Sequence, residues 1–207
     1  MSLNNIGVNV HKDTVMYVAI DNVYVGCFVF EDNLKEDVPL FIDELRKRNI
    51  NDMMILSGDK MEKAVEIARI LNVSSKGELL PSDKVEVIKE RKKERKIVYI
   101  GDGINDAPVL VESDVGVSMG TLGSDVAIEA SDIVIVNDNP YKIVEAIDIA
   151  RKTKRIIWFN IIFALVVKLV IMILAMFNVS SLPLAVFGDV GVTILTILNC
   201  IRINQSI

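Results

Sequence analysis

The stretch VYIGDGINDAPVL (98–110) sets two carboxylates, Asp102 and Asp106, four residues apart in a glycine-bearing turn that directly follows an apolar run. Like charges so close together disfavour each other unless a cation shares the site. Mg²⁺ takes hard oxygen ligands, keeps several waters, and is usually held by one or two carboxylates plus a phosphate. Gly101 and Gly103 allow the backbone a close approach there. The N–H groups that open the next helix favour anions, and Asn105 adds a neutral donor. The chemistry these residues suit is metal-assisted handling of a phosphoryl group, although a DGxND turn alone is equally ordinary turn chemistry.

Further residues sharpen that reading. Ser57, Gly58 and Asp59 end the apolar run MMIL (53–56), and the Ser57 hydroxyl can donate to a phosphoryl oxygen. Lys84, in PSDK (81–84), places an ammonium near a helix start, suited to neutralising a phosphate. Two more charges, Lys168 and Asp189, lie inside an apolar tail. A charge at mid-bilayer costs ~2.5–3.5 kcal/mol on insertion scales, so it commonly marks function. Lys168 precedes Asn178 by ten residues and Asp189 follows Pro183 by six. At ~1.5 Å per residue they sit about 15 and 9 Å from the intervening turn. A lysine stem bridges much of that difference, so an internal ion pair is expected. A carboxylate can ligate Zn²⁺, and the lysine can serve as a counter-ion when the metal leaves. A purely structural pair is the competing reading.

The elements that must position these residues are legible in the patterning. TVMYVAIDNVYVGCFVFED (14–32) reads as a β-hairpin around Asp21-Asn22. LKEDVPLFIDELRKRNI (34–50) carries Leu40, Phe41, Leu45 and Ile50 at near-helical spacing. MMIL reads as a strand and 60–71 as a helix with Val65, Ile67, Ala68 and Leu71 apolar. ELLPSDKVEVIKERKKE (78–94) predicts a short strand, then a helix started by Pro81 and Ser82. KIVYI (96–100), VGVSM (115–119) and DIVIVN (132–137) read as strands, and PYKIVEAIDIARKTKR (140–155) as a helix with Pro140 in its first turn. Alternating strands and helices imply a parallel sheet with helices on both faces. Ligands in such sheets gather at the carboxyl ends of the strands, where both SGDK and GDGIND fall.

Composition divides the chain. The net charge of −5 over 207 residues argues against a nucleic-acid binder. A mean hydropathy of +0.41 is high for a soluble protein. From Ile156 to Ile207 the only charges are Lys168, Asp189 and Arg202, a net +1, so residues 1–155 carry −6. Residues 156–177 form a 22-residue apolar run, about 33 Å as helix and enough to cross a bilayer. NVSSLP (178–183) is an uncharged turn, and 184–203 is a second, glycine-broken span. Arg151, Lys152, Lys154 and Arg155 before the first span and Arg202 at the end of the second put both ends on the cytoplasmic side. A buried soluble helix pair competes with that reading. Cys27 and Cys200 lack any CxxC spacing and read as reduced thiols.

Together SGDK, LLPSDK (79–84), VYIGDGINDAPVL and GVSMGTLGSDVAIEASDIVI (116–135) resemble the phosphorylation domain of heavy-metal-transporting P-type ATPases, with the likeness running from Tyr17 to Ile203. FEDNLK (30–35) matches the link back from the nucleotide domain, with Lys35 where that family usually has arginine. The resemblance implies an α/β, haloacid-dehalogenase-like (Rossmann-like) parallel sheet, partial, followed by a two-helix transmembrane hairpin. It implies that 1–30 ends a nucleotide-binding domain, 31–150 is a partial phosphorylation domain, and 151–207 holds the last two membrane helices. Asp102 and Asp106 would serve Mg²⁺, with Gly103 beside them. Asn105 would support the phosphate, and Ser57 and Lys84 would stabilise the phosphoryl group. Asp59, after Gly58, would lie near ATP. Lys168 and Asp189 resemble the zinc/cadmium/lead branch, which makes a divalent heavy-metal cation the transported partner. Met172 and Met176 leave a copper pump as an alternative.

That family forms an aspartyl-phosphate on DKTGT, which does not occur in this sequence; HKDTV (11–15) lacks the preceding acid and the glycine. The expectation is therefore a C-terminal portion of such a pump, inactive alone, whose sheet has an open slot with unpaired edges. A membrane-anchored haloacid-dehalogenase-type phosphatase and a non-catalytic truncated partner, docking on the missing N-terminal part, are the other readings.

Overall fold

In the computed structural model the described residues are 14–21, 23–30, 34–102, 105–120, 125–137, 139–177 and 182–204. The chain forms two compact units, Met1–Pro140 and Tyr141–Ile207.

In the first unit, β1 (Thr14–Ile20) and β2 (Val23–Phe30) form the antiparallel hairpin, with an irregularity in register at Val18/Ala19. Asp21 turns the chain with a φ of 49°, a left-handed conformation that Asp tolerates better than most residues. Helix α1 (Asp37–Lys47) buries Phe41 and Leu45, but Leu40 is exposed, because it falls off the buried stripe despite its apolar type. Next come β3 (Met54–Leu56) and α2 (Met61–Leu71), which buries Ala64, Ala68 and Leu71. Arg46 donates from Nη2 to the carbonyls of Leu71 and Asn72, at 2.6 and 2.8 Å. It thereby caps the C-terminal end of α2, where cations are favoured.

Strand β4 (Ser74–Lys76) pairs in parallel with β3. It lies upstream of the strand expected at 78–80. Glu78 has a φ of 57°, which breaks the extended chain there, and backbone pairing with β3 confers strand geometry on the polar Ser-Ser-Lys. Helix α3 (Pro81–Lys92) follows, with Pro81 at its first position and the Asp83 carboxylate accepting the Leu80 N–H at 3.0 Å. Strands β5 (Val98–Gly101), β6 (Val115–Met119) and β7 (Ile133–Ile135) form a parallel sheet in that order. They are connected by α4 (Ala107–Glu112) and α5 (Asp125–Ala130).

The parallel strands thus fall into two separate sheets, β3-β4 and β5-β6-β7; among the described residues no ladder joins β3 to β5. Side chains hold the two blocks together instead. Ile88 of α3, Tyr99 of β5, and Val109 and Leu110 of α4 form a buried cluster, against which Leu56 of β3 and Val85 of α3 pack. Val109 and Leu110 are essentially sealed from water, each contributing about 1.5–3 kcal/mol of apolar burial.

In the second unit, α6 (Tyr141–Met176) is one continuous helix of 36 residues, about 54 Å long. It merges the two helical segments expected at 140–155 and 156–177. Among the described residues it is the one helix long and apolar enough to cross a membrane. The segment expected as a second, glycine-broken span has three parts: α7 (Leu182–Val186), a π-helical turn (Phe187–Gly191) and α8 (Val192–Asn204). Gly188 explains how closely the turn meets α6: a Cβ there would lie 2.1 Å from Cδ1 of Ile171, and small residues of this kind let apolar helices approach. Asn160 Nδ2 donates to the Thr196 carbonyl at 3.1 Å, and Asn199 Nδ2 donates to Asn160 Oδ1 at 2.7 Å, pinning α6 to α8.

Candidate metal and phosphate site

The site in the first unit grows from the last residues of β5. Strand alternation puts Tyr99 and Gly101 on one face. A Cβ on Gly101 would come within 2.9 Å of both Asp106 Oδ2 and Tyr99 Cε1, so this glycine leaves the room in which carboxylate and ring edge meet. Asp106 precedes α4 as its N-terminal cap residue, and its carbonyl accepts from the N–H groups of Val109 and Leu110 at 2.9 Å each. Its side chain makes no capping bond. The carboxylate instead takes the Lys84 ammonium on Oδ1 at 2.7 Å, in a pair whose side chains are only 14% and 13% exposed.

Tyr99 is the site residue that sequence reasoning missed. The edge of its ring borders the same space above Gly101 as the Asp106 carboxylate. Burial, then the Asp106 charge beside it, and more weakly that of Asp102, push its ionisation far above the ordinary tyrosine range. The phenol therefore stays protonated. The available signal was period-2 alternation: an aromatic two residues before Gly101 on a strand ending in the carboxylates. Asp102, more exposed than Asp106, sits just past β5. Both carboxylates are thus within electrostatic reach of one phenol.

The Ser57–Asp59 turn is hydrogen-bonded to β4 and to the residues that lead into α3, the helix carrying Lys84 in its first turn. Ser57 N donates to the Lys76 carbonyl at 2.9 Å, Glu78 N to the Asp59 carbonyl at 2.7 Å, and Leu79 N to the Ser57 carbonyl at 3.1 Å. Ser57 Oγ accepts from the Asp59 N–H at 3.0 Å and donates to Asp59 Oδ2 at 3.2 Å. The structure therefore brings Lys84 onto Asp106 and ties Ser57 and Asp59 to β4 and to the segment that leads into the helix bearing Lys84. Asn105 is exposed at the foot of α4, and Gly103 lies outside the described residues. In the second unit, Lys168 Nζ lies 3.1 Å from Asp189 Oδ1, which belongs to the π-helical turn.

Among the described residues no group of three or more His, Cys, Asp or Glu side chains could cage a metal. Two carboxylates with an adjacent anion-neutralising lysine are instead the donor set of a Mg²⁺ ion that completes its shell with water and phosphate. The residues present fit that ion.

The chain is similar to several known proteins. Residues 4–114 match the model of a hydrolase family described as haloacid dehalogenase-like hydrolase. A cadmium, zinc and cobalt-transporting ATPase of Bacillus subtilis is 42% identical over 197 residues, covering 93% of this chain and 28% of that relative. A zinc-transporting ATPase of Synechocystis is 41% identical over 196 residues, covering 93% and 27%. The crystal structure of a zinc-transporting PIB-type ATPase in an E2.Pi state superposes with a TM-score of 0.80 at 33% identity, covering 92% of this chain and 31% of that one. The chain spans less than a third of the length of these relatives.

Proposed function

The chain belongs to the haloacid dehalogenase-like hydrolase family, and we propose that it supplies the Mg²⁺/phosphate site and part of the membrane cation path of an ATP-driven exporter of Zn²⁺, Cd²⁺ or Pb²⁺. The observation that carries this reading is the buried Lys84–Asp106 pair at the carboxyl end of β5, in a chain whose relatives are named as cadmium and zinc transporters.

Asp102 and Asp106 would hold Mg²⁺, which supplies charge neutralisation and a fixed orientation to a phosphoryl group. Lys84, seated on Asp106, is the ammonium that meets phosphoryl oxygens. The Ser57 hydroxyl would donate to another, from a turn held by hydrogen bonds to Lys76, Glu78 and Leu79 just ahead of α3. Asn105 would offer an amide from the N-terminal end of α4 and Asp59 a contact toward ATP, while Gly103 lies outside the described residues. The phosphoryl acceptor lies outside this sequence, because no DKTGT occurs in it. The β3 and β5 edges, unpaired with each other, are where a strand carrying the acceptor would insert.

In the membrane, α6 and the 182–204 segment act as a multi-pass pair in the cell membrane. Both ends are cytoplasmic, with Arg151, Lys152, Lys154 and Arg155 at the inner face. Asp189 is the carboxylate offered to the transported cation, and Lys168 is its counter-ion when the cation is absent.

Incubating the purified chain with labelled ATP, Mg²⁺ and Zn²⁺ tests the proposal. No acid-stable phosphate is expected on the chain. Stoichiometric label would contradict the assignment, since it would require an acceptor within these 207 residues.

A further inference from the structure

We propose that Lys154, Arg155 and Trp158 form a binding face for the headgroup of an anionic phospholipid where α6 enters the membrane, an inference that rests on the reading of residues 156–177 as a membrane span. The four cations of ARKTKR (150–155) do not share one task. Lys152 Nζ donates to the Arg202 carbonyl at 3.0 Å, so its charge serves the C-terminal end of α8, where cations are favoured. Asp148 lies three and four residues before Arg151 and Lys152, the spacing at which opposite charges on a helix meet. Lys154 and Arg155 stand six and seven residues beyond that acid, and both are exposed. From there to Asp189 the sequence holds no further carboxylate to neutralise them.

Helical geometry gathers these residues on one side. At about 100° per residue, Lys154, Arg155 and Trp158 fall within an arc of about 100°. Asn160, which bonds to Thr196 and Asn199 of α8, lies about 200° round from Trp158, so the face is turned away from α8. Trp158 is the only tryptophan of the chain and is 55% exposed. It sits ~4.5 Å beyond Arg155 along the helix axis. Basic clusters just cytoplasmic of a span attract anionic headgroups, and indole rings settle at the same level. The Arg155 fork matches phosphate oxygens, and the Lys154 ammonium adds a second positive charge beside it. A zwitterionic headgroup brings its own cation to offset its phosphate, so charge complementarity selects the lipid with a net negative charge.

A single tryptophan lets fluorescence report on this face alone. The full chain is placed in nanodiscs of mixed phosphatidylcholine and phosphatidylglycerol, with brominated acyl chains on one lipid or on the other. Quenching of Trp158 is then compared at equal mole fraction. Wild type should be quenched preferentially by brominated phosphatidylglycerol. Arg155→Gln should lose roughly fivefold of that preference, and Lys154→Gln/Arg155→Gln should fall to near parity. Arg202→Gln, on the other helix, should keep the wild-type preference. Equal quenching by the two lipids in wild type would overturn the inference, as would a preference that survives in the double variant. A loss from Arg202→Gln as large as that from Arg155→Gln would overturn it too, because diffuse surface charge would then account for the selectivity. If the double variant does not fold, the wild-type comparison decides. No quenching by either brominated lipid would put Trp158 outside the bilayer and defeat the membrane reading itself, so the two failures are distinguishable.

Discussion

Replacing Lys84 with methionine is expected to destabilise the first unit by about 2–3 kcal/mol, and adding Asp106→Leu to that variant to recover most of the loss. The two side chains are 14% and 13% exposed, and their 2.7 Å contact bridges α3 and α4. Removing one member of a buried pair strands the other charge, which typically costs about 3–5 kcal/mol. The lower figure applies because the pair keeps some exposure, so water reaches a charge left without its partner. Removing both charges eliminates the desolvation penalty, and substitution by apolar residues of similar size is often neutral. Denaturant unfolding of the single and double variants measures the cycle. A neutral Lys84→Met would mean that the pair behaves like a surface contact, worth about 0–1 kcal/mol, and that its side chains are not held as the structure places them.

The second large effect concerns the membrane. With the chain in lipid nanodiscs, Lys168→Met should tighten Zn²⁺ or Cd²⁺ binding by about tenfold, or ~1.4 kcal/mol, and Asp189→Asn should abolish it. The two side chains are 60% and 74% exposed in the chain itself. In water that contact would contribute little, but in hydrocarbon an unpaired charge costs ~2.5–3.5 kcal/mol even on insertion scales. The lysine therefore competes directly with a cation for the Asp189 carboxylate, and the two substitutions move binding in opposite directions. Gly188 brings the π-helical turn against Ile171, and π-turns recur at functional sites because they re-aim a side chain within a helix. Equal affinities in wild type and Lys168→Met would show that the lysine is no counter-ion. Titration followed by a metal-sensitive dye supplies the measurement.

Much of this was legible in the sequence, and the failures have physical causes. The strand at 115–119 and the helix over 61–71 follow from period-2 and 3.6 patterning. Asp102, Asp106, Ser57 and Lys84 stood out because their types suit phosphate chemistry at strand ends. Strand β4 was misplaced to 78–80, because Ser-Ser-Lys carries no apolar pattern and becomes a strand only by pairing with β3. The unbroken run from Tyr141 to Met176 was hidden by the change from charged to apolar composition near residue 155, which marks a change of environment but not of backbone. The π-helical turn left no pattern beyond its two glycines. Tyr99 was missed because a tyrosine in an apolar strand reads as core, although alternation puts it on the face of Gly101, where the structure shows its ring edge beside the Asp106 carboxylate. Lys84 and Asp106 are 22 residues apart, and only tertiary structure reports their meeting.

The most direct measurement is a calorimetric Mg²⁺ titration of the full chain against the Asp102→Asn/Asp106→Asn double variant, with each checked for folding by circular dichroism. A saturable Mg²⁺ site in the wild type that disappears in the folded double variant is the expected result. Undiminished binding by the double variant would contradict the claim that these strand-end carboxylates exist to hold the ion beside a phosphoryl group.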